Sequence, residues 1–313
     1  MLSAHNEFKT NTETDTARDT DKRVVTLVVT YNRKVLLREC LEALLSQSER
    51  IFKILIVDNA SEDGTNEFIS DIVDGEKILY SNTGENLGGA GGFSYGIKEA
   101  IKTGCDYIWI MDDDCIADKT ALEELLAYAK KVNGDFGFLS SVVKWTDGSI
   151  CKMNVQRKSF SQAVENFCSE QKIAMASFVS MFLNVDAVRK CGLPIKEFFI
   201  WGDDGEYSAR ISKSYDNYLV PSSTVVHKTA ENNGSDIVTD SADRLERYFY
   251  AYRNESYFYR SLGLRGRIYF LAKVAYHRLR LAFSHSVNKK ERFAVIKKGL
   301  KAGKTFKPEI EFV

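Results

Sequence analysis

Four short apolar runs, each stopping in polar residues and each followed by apolar residues at helical spacing, constrain this chain more than any other feature. Residues 24–29 (VVTLVV) stop at Thr30-Tyr31-Asn32-Arg33, and residues 52–57 stop at Asp58-Asn59-Ala60-Ser61. A shorter run covers residues 77–80, and residues 107–111 lead straight into Asp112-Asp113-Asp114. Between and after them, helical spacing links Leu37, Cys40, Leu41 and Leu44, then residues 64–73, then Phe93, Ile97 and Ala100. Leu122, Leu125 and Ala129 form the last of these faces, with Thr120 and Glu123 in capping-box positions and Asp118 also placed to cap. Strands apolar on both faces and alternating with helices predict an α/β fold with a mostly parallel sheet flanked by helices. Ligands of such sheets bind beyond the carboxyl ends of the strands, so the three polar strand ends are expected to open onto one crevice.

The second half is less regular. Residues 136–143 and 174–183 read as strands, residues 144–172 show no clear period, and a later strand ends at His227. From about Arg244 the pattern is helical, aromatic and basic. The chain as a whole has no net charge, yet residues 251–313 carry fifteen Lys/Arg against four Asp/Glu. The neutral sum thus hides an acidic body and a basic tail. The expected organisation is a disordered polar leader (1–22), an α/β domain (23–245) and a helical, basic C-terminal extension (246–313). No apolar stretch approaches the ~18 residues of a spanning helix. Six scattered cysteines without C-x-x-C spacing argue against a zinc site and a disulfide scaffold, and favour reduced thiols in a cytoplasmic protein.

Adjacent Asp112, Asp113 and Asp114 repel one another unless a cation is shared, and oxygen ligands on a short turn suit Mg²⁺ or Mn²⁺. A solvated acidic turn is the alternative. The run 86–92 (NLGGAGG) permits close backbone approach to an anionic ligand at a helix start, though tight helix–sheet packing explains it equally. Asp203-Asp204 follow Trp201-Gly202; one carboxylate there is a candidate general base towards a sugar hydroxyl, or a helix cap. His227 is a candidate metal ligand or a structural histidine.

Taken in order, these segments resemble the family 2 glycosyltransferases of GT-A fold. The matching pieces are Thr30-Tyr31-Asn32-Arg33, Asp58-Asn59-Ala-Ser61, Asn86-Leu-Gly88-Gly89-Ala-Gly91-Gly92, Asp112-Asp113-Asp114 and Trp201-Gly-Asp203-Asp204-Gly-Glu206. The glycine run and triple aspartate look most like the bacterial galactofuranosyltransferase branch, and rhamnosyltransferases share the plan. The resemblance implies a nucleotide-sugar site at Thr30, Tyr31, Asn32, Arg33, Asp58, Asn86, Gly88, Gly89, Gly91, Asp112 and Asp113. It further implies metal ligands Asp112, Asp114 and His227, with Asp204 as the base and Asp203 the other candidate, since Gly202 separates Trp201 from the pair. Trp201 and Glu206 would face the acceptor.

The expected activity is metal-dependent, inverting transfer of a hexosyl group from a UDP-sugar to a cell-surface glycan, the acceptor being lipid-linked. A rhamnosyltransferase using a dTDP-sugar, a nucleotidyltransferase and a non-catalytic glycan or lipid binder are the alternatives. The second lacks its glycine-rich loop after the first strand. The basic, aromatic tail suits an anionic surface at the inner face of the plasma membrane, or else packs on the acidic body. No recognition motif accompanies its charge, so nucleic acid is not an expected partner, and nothing in the sequence sets an oligomeric state.

Overall fold

A computed structural model describes residues 22–313, so all of the expected leader but Lys22 lies outside the described residues. The order of elements is β1 (Val24–Thr30), α1 (Lys34–Leu45), β2 (Lys53–Asp58), α2 (Thr65–Phe68), β3 (Ile78–Asn82), α3 (Gly88–Lys102) and β4 (Tyr107–Asp112). Then come β5 (Cys115–Ala117), α4 (Ala121–Lys131), β6 (Phe138–Lys144), β7 (Arg157–Ser159), β8 (Gln162–Ala163), β9 (Gln171–Lys172) and β10 (Met181–Asn184). The chain continues through α5 (Val185–Cys191), α6 (Asp203–Ile211), β11 (Tyr218–His227), α7 (Arg247–Ser261), α8 (Gly263–Phe283) and α9 (Lys289–Thr305).

The main sheet runs β3-β2-β1-β4-β10-β6-β11-β5, with β9 paired to β11. Its first four strands are parallel, as the continuous apolar runs require. Alternate residues of each strand serve opposite faces. Val24, Val28, Ile54, Ile56, Trp109 and Met111 pack with Leu37, Leu41, Leu122 and Leu125 of α1 and α4. Val25, Leu27, Leu55, Val57, Ile108 and Ile110 pack with Phe93, Ile97, Val188, Tyr207 and Ile211 of α3, α5 and α6. Each fully buried aliphatic side chain contributes roughly 1.5–3 kcal/mol relative to exposure.

The expected α/β sheet flanked by helices is present, and beyond β4 it turns mixed, where β10 enters antiparallel between β4 and β6. Local expectations are corrected. The expected strand at 174–183 is only Met181–Asn184, and the helix over 64–73 is a single turn, Thr65–Phe68. Thr120 makes no side-chain cap; Glu123 instead accepts from Ser48 Oγ at 2.8 Å, and Asp118 binds Thr224 Oγ1. Between the three aspartates and α4 the chain forms β5, which pairs antiparallel with β11. That pairing controls the site.

Helices α7, α8 and α9 close around Tyr248, Tyr252, Phe258, Phe270, Val274, Leu281 and Ile296, and Trp201 of the α/β body packs against this cluster. Part of the basic charge is engaged internally: Lys273 pairs with Glu255 at 2.6 Å, and Arg280 with Asp236 at 2.8 Å. Arg292 donates to the carbonyls of Ile237 and Asp240, each at 2.7 Å. Among the described residues no helix is long and apolar enough to cross a membrane.

Candidate active site

Parallel register aligns the polar strand ends. Thr30 lies beside Asp58, Val29 beside Asp112, and Asp58 beside Asn82. The buried Thr30 donates from Oγ1 to Asp113 Oδ2 at 2.7 Å, tying the first motif to the third. Asp58, also buried, accepts from the Ser61 N–H at 2.8 Å and from Tyr80 Oη at 2.5 Å. Asn32 is left-handed (φ 54°) and holds the Ser61–Glu62 turn through two hydrogen bonds. Tyr31 stays exposed at the rim.

Arg33 reaches across this floor. Its Nη1 lies 2.7 Å from Asp114 Oδ2 and 3.4 Å from Asp113 Oδ1, while its side chain remains half-exposed. Burial pushes Asp113 up to about 6 against the pull of Arg33. Asp112 rises to about 7 through burial and the charge of Asp114. Burial acts upward on Asp114 too, but the contact with His227 outweighs it and leaves its carboxyl below the usual range.

His227 arrives through the β5–β11 pairing, which sets it opposite Cys115 and lets the Lys228 N–H bond the Asp114 carbonyl at 2.9 Å. Its Nε2 stands 3.0 Å from Asp114 Oδ1, an oxygen otherwise buried without a hydrogen-bond partner. The other ring nitrogen, Nδ1, is 2.8 Å from Asn154 Oδ1, whose amide is oriented by donating to Ser177 Oγ at 2.9 Å. Asn154 therefore keeps the proton on Nδ1 and aims the Nε2 lone pair at a carboxylate. Two electron-rich atoms this close must share a positive charge. Burial opposes the imidazolium, but Asp114 overcomes it and raises His227 to about 10. A divalent cation meets the same demand, so Asp114 and His227 fit one, with Asp112 beside them. Cys115 Sγ lies in the same cluster, but burial holds its thiol protonated, a poor partner for a hard cation.

The glycine run splits by role. Gly88 has φ +69°, and a Cβ there would lie 2.2 Å from the Phe199 carbonyl oxygen. Its N–H bonds Asn86 Oδ1 at 2.9 Å, and the Ala90 N–H bonds Phe199 O at 3.2 Å. Two of the first amides of α3 are thus engaged within the protein, and Gly91 packs against Leu87. A Cβ on Gly89 would meet nothing within 4 Å, so packing gives no reason for that glycine.

The segment before α6 is strained. Phe199 and Trp201 both have positive φ (63° and 65°), a state costing on the order of 1–3 kcal/mol for each side chain. Gly202 (φ 85°) completes the turn that launches Asp203 and Asp204 as the first residues of α6. Burial and the adjacent Asp204 push Asp203 well up, and Asp112 lies close enough to add to the effect. Asp204, the more exposed of the two, is raised by burial to about 6 and accepts from the Gly205 N–H at 2.6 Å. Asp203 of the second acidic pair therefore lies near Asp112 of the first. Trp201 stacks edge-on against Tyr248 (5.0 Å) beneath Arg244. Glu206, in contrast, is buried and held by Arg210, which also donates to the Cys191 and Leu193 carbonyls, so its carboxylate has a structural partner.

The match to the model "Glycosyl transferase family 2" spans residues 26–192, from β1 to the end of α5. The chain belongs to glycosyltransferase family 2. It is 29% identical over 263 residues to the galactofuranosyltransferase GlfT1 of Mycolicibacterium smegmatis, covering 77% of this chain and 84% of that protein. The Mycobacterium tuberculosis GlfT1 is 30% identical over 202 residues, 61% of this chain and 65% of the relative. Among solved structures, Staphylococcus aureus TarS 1–349 in complex with UDP aligns over 91% of this chain and 72% of its own, at TM-score 0.53 and 12% identity. GalNAc-T7 with UDP, GalNAc and Mn²⁺ aligns over 75% of this chain and 51% of its own, at TM-score 0.56 and 16% identity. The structural likeness gives the GT-A fold, and the family match with the GlfT1 relatives makes the chain a glycosyltransferase.

Proposed function

We propose that this glycosyltransferase moves a galactofuranosyl group, with inversion, from a UDP donor to a hydroxyl of a growing, lipid-linked cell-surface glycan. The observation that carries the reading is the Asp114–His227 contact beside Asp112, with Asp203 near enough to feel the charge of Asp112. Thr30, Tyr31, Asn32, Arg33 and Asp58 line the nucleotide side, with Gly89 the open position of the glycine run. Asp112, Asp114 and His227 would hold Mn²⁺ or Mg²⁺. The cation would neutralise charge growing on the diphosphate as it leaves. Arg33 adds a mobile positive charge beside the same carboxylates. Asp204, raised to about 6 and reachable from solvent, takes the acceptor proton at neutral pH, while the more deeply buried Asp203 stays protonated. No enzyme nucleophile is needed for a single in-line displacement.

A panel of nucleotide sugars, read by release of the nucleoside diphosphate in Mn²⁺, tests the donor. UDP-galactofuranose is expected to turn over fastest; faster turnover of a dTDP-sugar favours the rhamnosyl reading. Asn154→Leu removes the group that orients His227 without removing a ligand. It is expected to raise the Mn²⁺ concentration needed for UDP-dependent thermal stabilisation about 10- to 100-fold. An unchanged requirement excludes Asn154 from the metal site.

The extension supports a peripheral membrane role. On α8, Leu264, Ile268, Leu271 and Leu279 are 58–73% exposed, whereas Phe270, Val274 and Leu281 face the core. The outward residues recur at helical spacing, with exposed Arg267 and Arg278 among them. On α9, Lys290, Lys297, Lys301 and Lys304 share an exposed face, each adding about 1 kcal/mol near an anionic leaflet. Leu271→Asp with Leu279→Asp is expected to weaken flotation with phosphatidylglycerol vesicles at least tenfold. Undiminished flotation removes α8 from the membrane contact.

A further inference from the structure

We infer that Asn254, on α7 of the C-terminal extension, is the positioning residue for the Asp203–Asp204 pair. Its side chain is fully buried, and its amide nitrogen bonds three carbonyls of the turn: Phe198 at 2.9 Å, Ile200 at 3.1 Å and Trp201 at 2.8 Å. Arg253, the preceding residue, donates from Nε to Asn254 Oδ1 at 3.0 Å and so fixes which way the amide points. Arg253 also donates from Nη2 to the Phe198 carbonyl at 3.2 Å.

The geometry gives this contact its consequence. Residues 199–202 carry three positive φ values, and such a turn persists only where its surroundings over-determine it. It is gripped from two sides. From the sheet side, the Ala90 N–H holds the Phe199 carbonyl in the space that Gly88 leaves by lacking a Cβ. From the extension side, Asn254 supplies the only side-chain amide hydrogens bonded to Phe198, Ile200 and Trp201 among the described residues. The turn ends at Gly202 and α6 begins at once with Asp203, so no residue intervenes to absorb a displacement. A shift of the turn is a shift of the carboxylates. The extension is thereby part of the catalytic framework rather than an appendage, and α3, which begins at the donor side, shares the same turn.

The inference rests on the reading of Asp203–Asp204 as the acceptor's base. Asn254→Leu keeps the branched skeleton, with larger methyl ends, and removes both amide hydrogens, while Asn254→Asp keeps the shape but turns the donor into an acceptor facing three carbonyl oxygens. Each full-length variant is to be compared with wild type in UDP-galactofuranose turnover with Mn²⁺. In the folded variants kcat is expected to fall on the order of 10²-fold, with the donor KM within threefold of wild type. Hydrogen exchange across residues 199–206 supplies a readout that needs no activity: protection there should drop while β1 and β4 keep theirs. Gly88→Ala pushes the same turn from its other side, and its effect combined with Asn254→Leu is expected to be less than the product of the two. A folded Asn254→Leu protein with wild-type kcat and unchanged exchange at 199–206 overturns the inference. If wild type itself fails to turn over the sugar nucleotide, the functional reading is at fault, and the exchange result still decides whether Asn254 holds the turn.

Discussion

Asp204→Asn is expected to lower kcat on the order of 10³- to 10⁴-fold while UDP affinity in Mn²⁺ stays within about threefold of wild type. The amide is isosteric, keeps its place at the start of α6, and loses only the ability to accept a proton. The carboxylate it replaces is raised to about 6 by burial, so wild-type kcat/KM should be flat above pH 7 and fall as pH drops through 6. The sign follows from the role: a base works deprotonated, and acid removes it. Asp203→Asn should cost far less, because burial and the adjacent Asp204 push that carboxyl well up, towards its protonated form. Substantial residual turnover in Asp204→Asn, with loss in Asp203→Asn, would reverse the assignment. Steady-state kinetics of both variants, alongside calorimetric UDP titration, separates the outcomes.

The parts of the fold legible in the sequence are those where a short-range pattern carries the information. Strands β1, β2 and β4 are buried on both faces and read as unbroken apolar runs, and each ends where its motif begins. Strand β10 was not legible at its true length: Met181–Asn184 is four residues and enters antiparallel, which no local period announces. The triple aspartate and His227 could be singled out as residue types, but their contact depends on a three-residue strand, β5, that reads from sequence as the approach to a helix. Asn154 and Asn254 were missed altogether. One lies in the stretch without period and the other in an aromatic helix, and a lone asparagine carries no motif. A buried asparagine's partners are set by distant segments, 73 residues away for Asn154 and 53–56 for Asn254. Glu206 illustrates the reverse case. Its place in the motif implied an acceptor contact, whereas three-dimensional packing supplies it with Arg210.

The second large effect is expected at Asp114. This carboxylate accepts from Arg33 on one oxygen and faces His227 Nε2 on the other, so it joins the guanidinium to the imidazole. Asp114→Ala would remove a proposed ligand of the cation and the largest upward influence on His227, leaving Asp112 and Cys151 alone to oppose its burial. Charge repulsion with Asp112 is relieved at the same time, so the unliganded variant should lose little thermal stability. What it should lose is the link between metal and nucleotide. The most direct test is UDP binding by calorimetry, with Mn²⁺ and with excess EDTA, on wild type and Asp114→Ala. The account predicts that wild type binds UDP at least tenfold more tightly in Mn²⁺ than in EDTA, and that Asp114→Ala binds with the weak affinity in both. UDP affinity independent of Mn²⁺ in wild type, or an undiminished Mn²⁺ effect in Asp114→Ala, would contradict it.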